Sequence, residues 1–117
     1  MDGEIRPDEV AELVDAGSVC VVDIRNELSY DRGHIPGSTN LPFHRLTQEV
    51  DRFDDCDRVV TVCPHGKASV QAANLIASYE GFHGTVESMA GGLEAWDGEL
   101  TQTERDNGDE DEGPAPF

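Results

Sequence analysis

The fold of this chain is decided by the stretch RVVTVCPHGKA, which occupies residues 58–68. Its first half is rich in valine, a composition typical of a strand that is buried on both faces of a parallel sheet. From Ala68 to Tyr79 apolar residues recur at helical spacing, so a helix follows after a short loop that contains glycine. The sequence therefore predicts a strand, a tight loop and a helix, with Cys63 at the carboxyl end of the strand.

A second apolar, valine-containing run at residues 19–24 predicts another buried strand. Strands that alternate with helices predict an α/β fold, an open parallel sheet flanked by helices on both faces, whose ligands bind at the carboxyl ends of the strands. The other expected elements are a helix from Pro7 to Gly17, a short helix at 27–32, a strand at Thr39–Leu41, a helix at Arg45–Phe53, a strand at Thr85–Met89 and a short helix from Gly91-Gly92 to Trp96.

The length of 117 residues provides one domain with one core, and not two domains. After Trp96 the composition changes to Asp, Glu, Gly, Gln and Pro, with hardly any apolar residue. So few apolar groups do not repay the entropy of ordering the chain. We therefore expect a domain at residues 1–98 and an acidic disordered tail at 99–117.

The charge of the chain is strongly negative, with 25 acidic against 8 basic residues and a formal net charge of −17. Such a chain repels the phosphates of nucleic acid and the anionic surface of a membrane, so we expect neither as a partner. Lys67 is the only lysine, and the acidic excess runs through the whole length. This pattern favours adaptation to high salt, where charges are screened within about 3 Å at 1 M; an ordinary acidic protein with a disordered tail is the alternative.

Apolar runs are short throughout the sequence. No run reaches the roughly 20 residues that a membrane-spanning helix needs, and the first residues lack the apolar core of a signal peptide. We therefore expect a cytoplasmic location.

The three cysteines differ in their surroundings. Their odd number and the absence of a Cys-x-x-Cys pair predict neither a disulfide framework nor a structural zinc site. Cys20 lies in an apolar run, which favours a small buried hydrophobe. Cys56 lies among aspartates, which disfavour a reactive thiolate. Only Cys63 has a setting that indicates chemistry.

The loop that begins at Cys63 is a candidate anion site. A strand end and a helix N-terminus aim several backbone N–H groups at one point, which stabilises a thiolate and attracts an anionic substrate. Gly66 allows a positive φ, and His65 and Lys67 add donors or positive charge, whereas Pro64 has no N–H to offer. The alternative is structural: Cys63 ends a strand and packs inward, while His65 and Lys67 are an ordinary turn residue and a solvated lysine.

Three segments in order resemble the signatures of the rhodanese family. They are Asp23-Ile24-Arg25 followed by GHIPGSTNLP at 33–42, the loop CPHGKAS at 63–69, and MAGGLEAW at 89–96, which together span most of residues 5–98. Ser38 stands where the family usually has alanine. Ala68 stands where many relatives have arginine or threonine, and Ser29 where they have glutamate. These departures leave the substrate preference and the charge partners of the site open.

The resemblance implies a sulfurtransferase with no metal or organic cofactor. The Cys63 thiolate would take the outer sulfur of a donor such as thiosulfate as a persulfide, release sulfite, and pass the sulfur to an acceptor such as cyanide, a thiol or a sulfur-carrier protein. Asp23 and Arg25 would be a structural pair that braces the strand end beneath the loop. The substrate-binding residues that the resemblance implies are His65, Gly66, Lys67, Ala68 and Ser69.

Two other functions are compatible with parts of the pattern. A cysteine phosphatase or arsenate reductase also places a cysteine in an amide cradle, but it needs an arginine where this chain has Ser69. Phosphatases also usually carry a histidine where Val62 stands. A non-catalytic rhodanese-like module would bind a partner through its acidic surface, and such a module has no need of Cys63. The sulfur donor could be thiosulfate, mercaptopyruvate or a protein persulfide.

Overall fold

The computed structural model of the chain describes residues 1–103. Its centre is a sheet of five parallel strands, which confirms the predicted open parallel sheet. Across the sheet the order is β1 (Glu4–Ile5), β5 (Thr85–Met89), β4 (Arg58–Val62), β2 (Cys20–Asp23) and β3 (Thr39–Asn40). The two valine-containing runs lie next to each other at its centre, as β4 and β2. Strand β1 was not predicted, because two residues are too few to show a pattern.

The helices are α1 (Pro7–Ala16), α2 (Glu27–Arg32), α3 (Leu46–Glu49) and α4 (Ala68–Ser78). The predicted helices at 7–17, 27–32 and 68–79 are confirmed to within one residue. The single helix predicted over Arg45–Phe53 is wrong: α3 is one turn long, and 3-10 turns at Phe43–Arg45 and Val50–Phe53 flank it. Val50 and Phe53 are three residues apart, the spacing that a 3-10 turn brings to one side. None of the helices within residues 1–103 is long and apolar enough to cross a membrane.

Both faces of the sheet are covered, so the core has two halves. Along β4 the side chains alternate: Val59 faces α3 and α4, whereas Val60 and Val62 face α1. This alternation also places Cys63 on the α4 face, in the same half of the core as Val86 of β5. A short 3-10 turn at Gly92–Ala95 follows β5, where the sequence predicts a short helix.

The packed part of the chain continues beyond residue 98, where the predicted tail was to begin. Thr101 pairs with His34 in an isolated antiparallel bridge. The backbone N–H of Thr103 also donates to the carbonyl of Asp31 at 3.0 Å. These hydrogen bonds satisfy backbone groups that composition alone assigns to a solvated tail. The remainder of the predicted tail, 104–117, lies outside the described residues.

Cys20 and Cys56 form a disulfide, which the sequence did not predict. The expectation that Cys20 and Cys56 are unpaired thiols is wrong. An odd number of cysteines still allows one disulfide, and Cys63 is the cysteine that stays free. The pairing follows from the sheet: Cys20 begins β2 and Cys56 lies just before β4, its parallel neighbour. Residues that are 36 positions apart in the sequence therefore meet, with their Cα atoms 6.2 Å apart.

Candidate active site

Cys63 follows β4 directly, and α4 begins five residues later at Ala68. Its sulfur accepts hydrogen bonds from the backbone N–H groups of Gly66 at 3.1 Å and Ser69 at 3.3 Å. The residue is only 2% exposed. The Sγ atom therefore lies at the bottom of a cradle of amides at the N-terminus of α4, where the helix dipole also favours negative charge.

Three buried hydroxyl groups lie behind the sulfur. The Ser69 Oγ atom is 3.2 Å from Cys63 Sγ and 2.7 Å from Ser88 Oγ of β5. Thr61 Oγ1 donates to the Ser69 carbonyl at 2.7 Å and so fixes the first turn of α4. Thr61 and Ser88 were not predicted from the sequence as residues of the site. They could have been found as hydroxyl residues inside two buried strands, at positions whose alternation turns them to the α4 face, as it does for Cys63.

These surroundings set the pKa of the Cys63 thiol. Burial by itself raises this pKa, because it disfavours the charged thiolate. Hydrogen bonds from the Ser69 side chain, and from the backbone of Ser69, His65 and Gly66, stabilise the thiolate and outweigh the effect of burial. The pKa of Cys63 consequently lies below its ordinary value, as the loop predicted. A larger share of the thiol is then ionised at neutral pH and able to act as a nucleophile.

The glycine pair after β5 closes the cradle from the other side. A Cβ atom on Gly92 would lie 2.4 Å from the Cys63 carbonyl oxygen, and one on Gly66 would lie 2.8 Å from the Gly91 nitrogen. The N–H of Leu93 donates to that same Cys63 carbonyl at 2.9 Å. The 3-10 turn thus holds the loop carbonyls outward, which leaves the loop amides free to face the sulfur.

The family model of the rhodanese-like domain matches residues 6–99 of this chain. The chain belongs to the rhodanese-like family. Two curated relatives are both named thiosulfate sulfurtransferase GlpE. The protein of Ectopseudomonas mendocina is 39% identical over 92 residues, covering 79% of this chain and 82% of the relative. The protein of Shewanella oneidensis is 36% identical over 88 residues, covering 75% of this chain and 85% of the relative.

Solved structures agree with this assignment. A rhodanese-like domain protein of Staphylococcus aureus matches with a TM-score of 0.76 at 22% identity, covering 87% of this chain and 99% of that protein, which supports the fold. The human single-domain sulfurtransferase TSTD1 matches with a TM-score of 0.67 at 25% identity, covering 80% of this chain and 93% of that protein. The comparisons confirm the predicted family, the fold and a sulfurtransferase as the class of enzyme.

The predicted substrate-binding residues of the rhodanese domain fall into two groups. Gly66 and Ser69 are buried and contact the sulfur through their amides. His65, Lys67 and Ala68 are exposed along the outer side of the loop, and of these three the backbone of His65 also stabilises the thiolate. The His65 Nδ1 atom is 3.5 Å from a carboxylate oxygen of Glu94, and both side chains are largely solvated. Ser69, which stands where a phosphatase needs arginine, turns its hydroxyl inward instead.

Asp23 and Arg25 form the predicted structural pair of the rhodanese domain. Arg25 Nη2 lies 2.7 Å from Asp23 Oδ2, and the same nitrogen donates to the Gly33 carbonyl at 2.7 Å. The Asn40 side chain donates to the carbonyls of both Asp23 and Arg25. Asp23 is 1% exposed, so the ion pair is satisfied within the fold. These contacts hold the end of β2 to Asn40 of β3 and to Gly33, and they pair both charges.

Proposed function

We propose that this rhodanese-like protein transfers the outer sulfur of thiosulfate and that Cys63 carries it as a persulfide. The observation that carries the proposal is the cradle: the only unpaired cysteine has its sulfur at the focus of the Gly66 and Ser69 amides, with a lowered pKa. Thiosulfate is supported as the donor by the names of the two relatives.

In the first half-reaction the Cys63 thiolate attacks the outer sulfur of thiosulfate. A new S–S bond forms, the bond between the two sulfurs of thiosulfate breaks, and sulfite leaves with the electron pair of that bond. The product is a Cys63 persulfide whose terminal sulfur is negative. The inward amides hold this charge and that of the incoming dianion. The residues assigned to substrate binding are His65, Gly66, Lys67, Ala68 and Ser69.

In the second half-reaction a nucleophile takes the terminal sulfur and leaves the Cys63 thiolate behind. Cyanide would become thiocyanate, a small thiol would become a persulfide, and a sulfur-carrier protein could accept in the same way. The displacement needs no metal or organic cofactor, because both steps exchange one nucleophile for another at sulfur. The net charge of −17 disfavours nucleic acid and anionic membranes as partners. We also propose a cytoplasmic location for the protein.

Intact-mass spectrometry after incubation with thiosulfate tests this function. We expect the wild-type protein to gain the mass of one sulfur atom and to lose it when cyanide is added. Cys63→Ser should gain nothing. The matched control is the double variant Cys20→Ser, Cys56→Ser, which removes the other two cysteine sulfurs and should still gain one sulfur atom. A sulfur gained by Cys63→Ser, or none gained by the wild type with any sulfane donor, would contradict the proposal.

We also propose that the protein is adapted to high salt. The support is its composition, with 25 acidic residues against 8 basic ones and a single lysine. At low ionic strength these carboxylates repel one another, and salt removes that repulsion. We expect the midpoint of thermal unfolding to rise by about 10 °C between dilute buffer and multimolar KCl, a gain of roughly 2 kcal/mol. An unchanged or lower midpoint in KCl would contradict this adaptation.

A further inference from the structure

A buried hydroxyl of β5 lies behind the reactive sulfur and has no part in either half-reaction. Ser88 is 0% exposed, and its Oγ atom is 2.7 Å from the Ser69 Oγ, which is itself 3.2 Å from Cys63 Sγ. A buried hydroxyl destabilises a core unless it is hydrogen-bonded. Val86, two residues earlier on the same face, shows that this face of the strand accepts an apolar side chain. A polar residue at position 88 therefore calls for an explanation.

We propose that Ser88 is a positioning residue for the Cys63 sulfur, acting through the Ser69 hydroxyl. Its hydroxyl keeps that of Ser69 directed at the sulfur, and the two hydroxyls reverse their donor direction when the sulfur loses its proton. This inference rests on the proposed role of Cys63 as the sulfur carrier.

The hydrogen bonds that link Cys63, Ser69 and Ser88 differ between the two protonation states of the sulfur. When the sulfur is a thiol, its S–H donates to the Ser69 oxygen and the Ser69 O–H donates to Ser88. When the sulfur is a thiolate, or the inner atom of a persulfide, it can only accept. The Ser69 O–H then turns to the sulfur, and the Ser88 O–H donates to Ser69. Ser69 makes two hydrogen bonds in both states, and the proton released on ionisation is that of the thiol, so both serines keep theirs.

Ser88 also strengthens the hydrogen bond that the thiolate receives. A hydroxyl that accepts a hydrogen bond becomes a better donor, and the effect is greater where water is excluded. Without the Ser88 hydroxyl, the Ser69 oxygen has a buried lone pair with no donor in the thiolate state. The thiol form also loses a partner, the acceptor of the Ser69 O–H, but the hydrogen bond that is weakened in the thiolate form is charge-assisted, so the thiolate form is destabilised more. Thr61 fixes the Ser69 carbonyl separately, so the backbone of Ser69 remains in place.

The charged groups near this chain remain in place when Ser88 is changed. Those on the adjoining strand ends and loops are paired with each other or exposed. They are Asp23 with Arg25, Arg58 with Glu87, and His65 with Glu94, together with exposed Lys67 and exposed Glu4, the neighbour of Ser88 on β1. A change in the titration of Cys63 in a Ser88 variant therefore reports the loss of the hydroxyl.

The test is the pH profile of alkylation of Cys63 by iodoacetamide, followed by intact mass in the full chain. For Ser88→Ala we expect the midpoint to move to higher pH and the rate at pH 7 to fall about threefold. Ser69→Ala should have a larger effect. In the Ser69→Ala background, adding Ser88→Ala should change nothing further, because its route to the sulfur is gone.

Two control variants separate positioning from structural damage. Ser88→Thr keeps the hydroxyl, in a side chain suited to a strand, and should restore the wild-type profile. Val86→Ala makes a cavity on the same face of β5, so it should lower the thermal midpoint of unfolding without moving the alkylation profile. The proposal is overturned if the Ser88→Ala profile equals that of the wild type, or if the effect persists without the Ser69 hydroxyl. Alkylation needs no sulfur donor, so this outcome is distinct from a failure to form the persulfide.

Discussion

Gly92→Ala is expected to reduce sulfur transfer at least a hundredfold and to lower the free energy of unfolding by about 3 kcal/mol. The added Cβ would lie 2.4 Å from the Cys63 carbonyl oxygen and 2.6 Å from the amide nitrogens of His65 and Gly66. All three are backbone atoms of the cradle, so the loop itself has to move. Amides displaced by about 1 Å no longer point at Sγ, and the thiolate and the transferred sulfur lose their donors.

The positive φ of Gly92, +64°, adds conformational strain, and a second glycine separates the two effects. Gly17 ends α1 with a φ of +69°, and a Cβ there has nothing within 4 Å. Gly17→Ala should therefore lower the free energy of unfolding by only about 1 kcal/mol and keep full activity. The measurements are the rate of thiocyanate formation from thiosulfate and cyanide, and chemical unfolding. Gly92→Ala with more than half of the wild-type rate would show that the glycine pair does not shape the cradle.

The sequence revealed the central part of this architecture because the information there is local. Valine-rich runs mark β2 and β4, and helical spacing after Gly66 marks α4. Those elements alone place Cys63 at a strand end in front of a helix N-terminus. The sequence therefore placed the residues around the sulfur in this loop. Only some of them contact the sulfur: Gly66 and Ser69 face it, while Lys67 faces solvent.

What the sequence did not reveal depends on contacts between distant segments. The glycine pair meets the loop only because β5 lies beside β4, and nothing local to Gly92 indicates the backbone of Cys63 as its neighbour. Ser88 is a similar case, because its hydroxyl contacts that of Ser69, which lies on another element, and the sequence around Ser88 does not indicate this contact. The Cys20–Cys56 pair follows from the same cause: the parallel register of β2 and β4 brings the two residues together, and spacing in the sequence cannot show it.

That disulfide should be a large source of stability. Cys20 and Cys56 are 36 residues apart, and closing a loop of this length in the unfolded chain corresponds to about 4 kcal/mol at 25 °C. We therefore expect chemical unfolding of the double variant Cys20→Ser, Cys56→Ser to show a free energy of unfolding lower by about that amount. Adding a reductant to the wild type should produce a similar loss, and adding it to the double variant should produce none.

The same variant should transfer sulfur at nearly the wild-type rate when assayed well below its unfolding temperature. Cys20 pairs with Val59 at the start of β4, whereas Cys63 follows the last residue of that strand. At about 3.3 Å per residue the strand separates the two ends by more than 10 Å. A large loss of transfer in a folded double variant would show that the disulfide supports the loop across the sheet. An unchanged free energy of unfolding would show instead that the pair is not bonded in solution, because an open pair closes no loop in the unfolded chain.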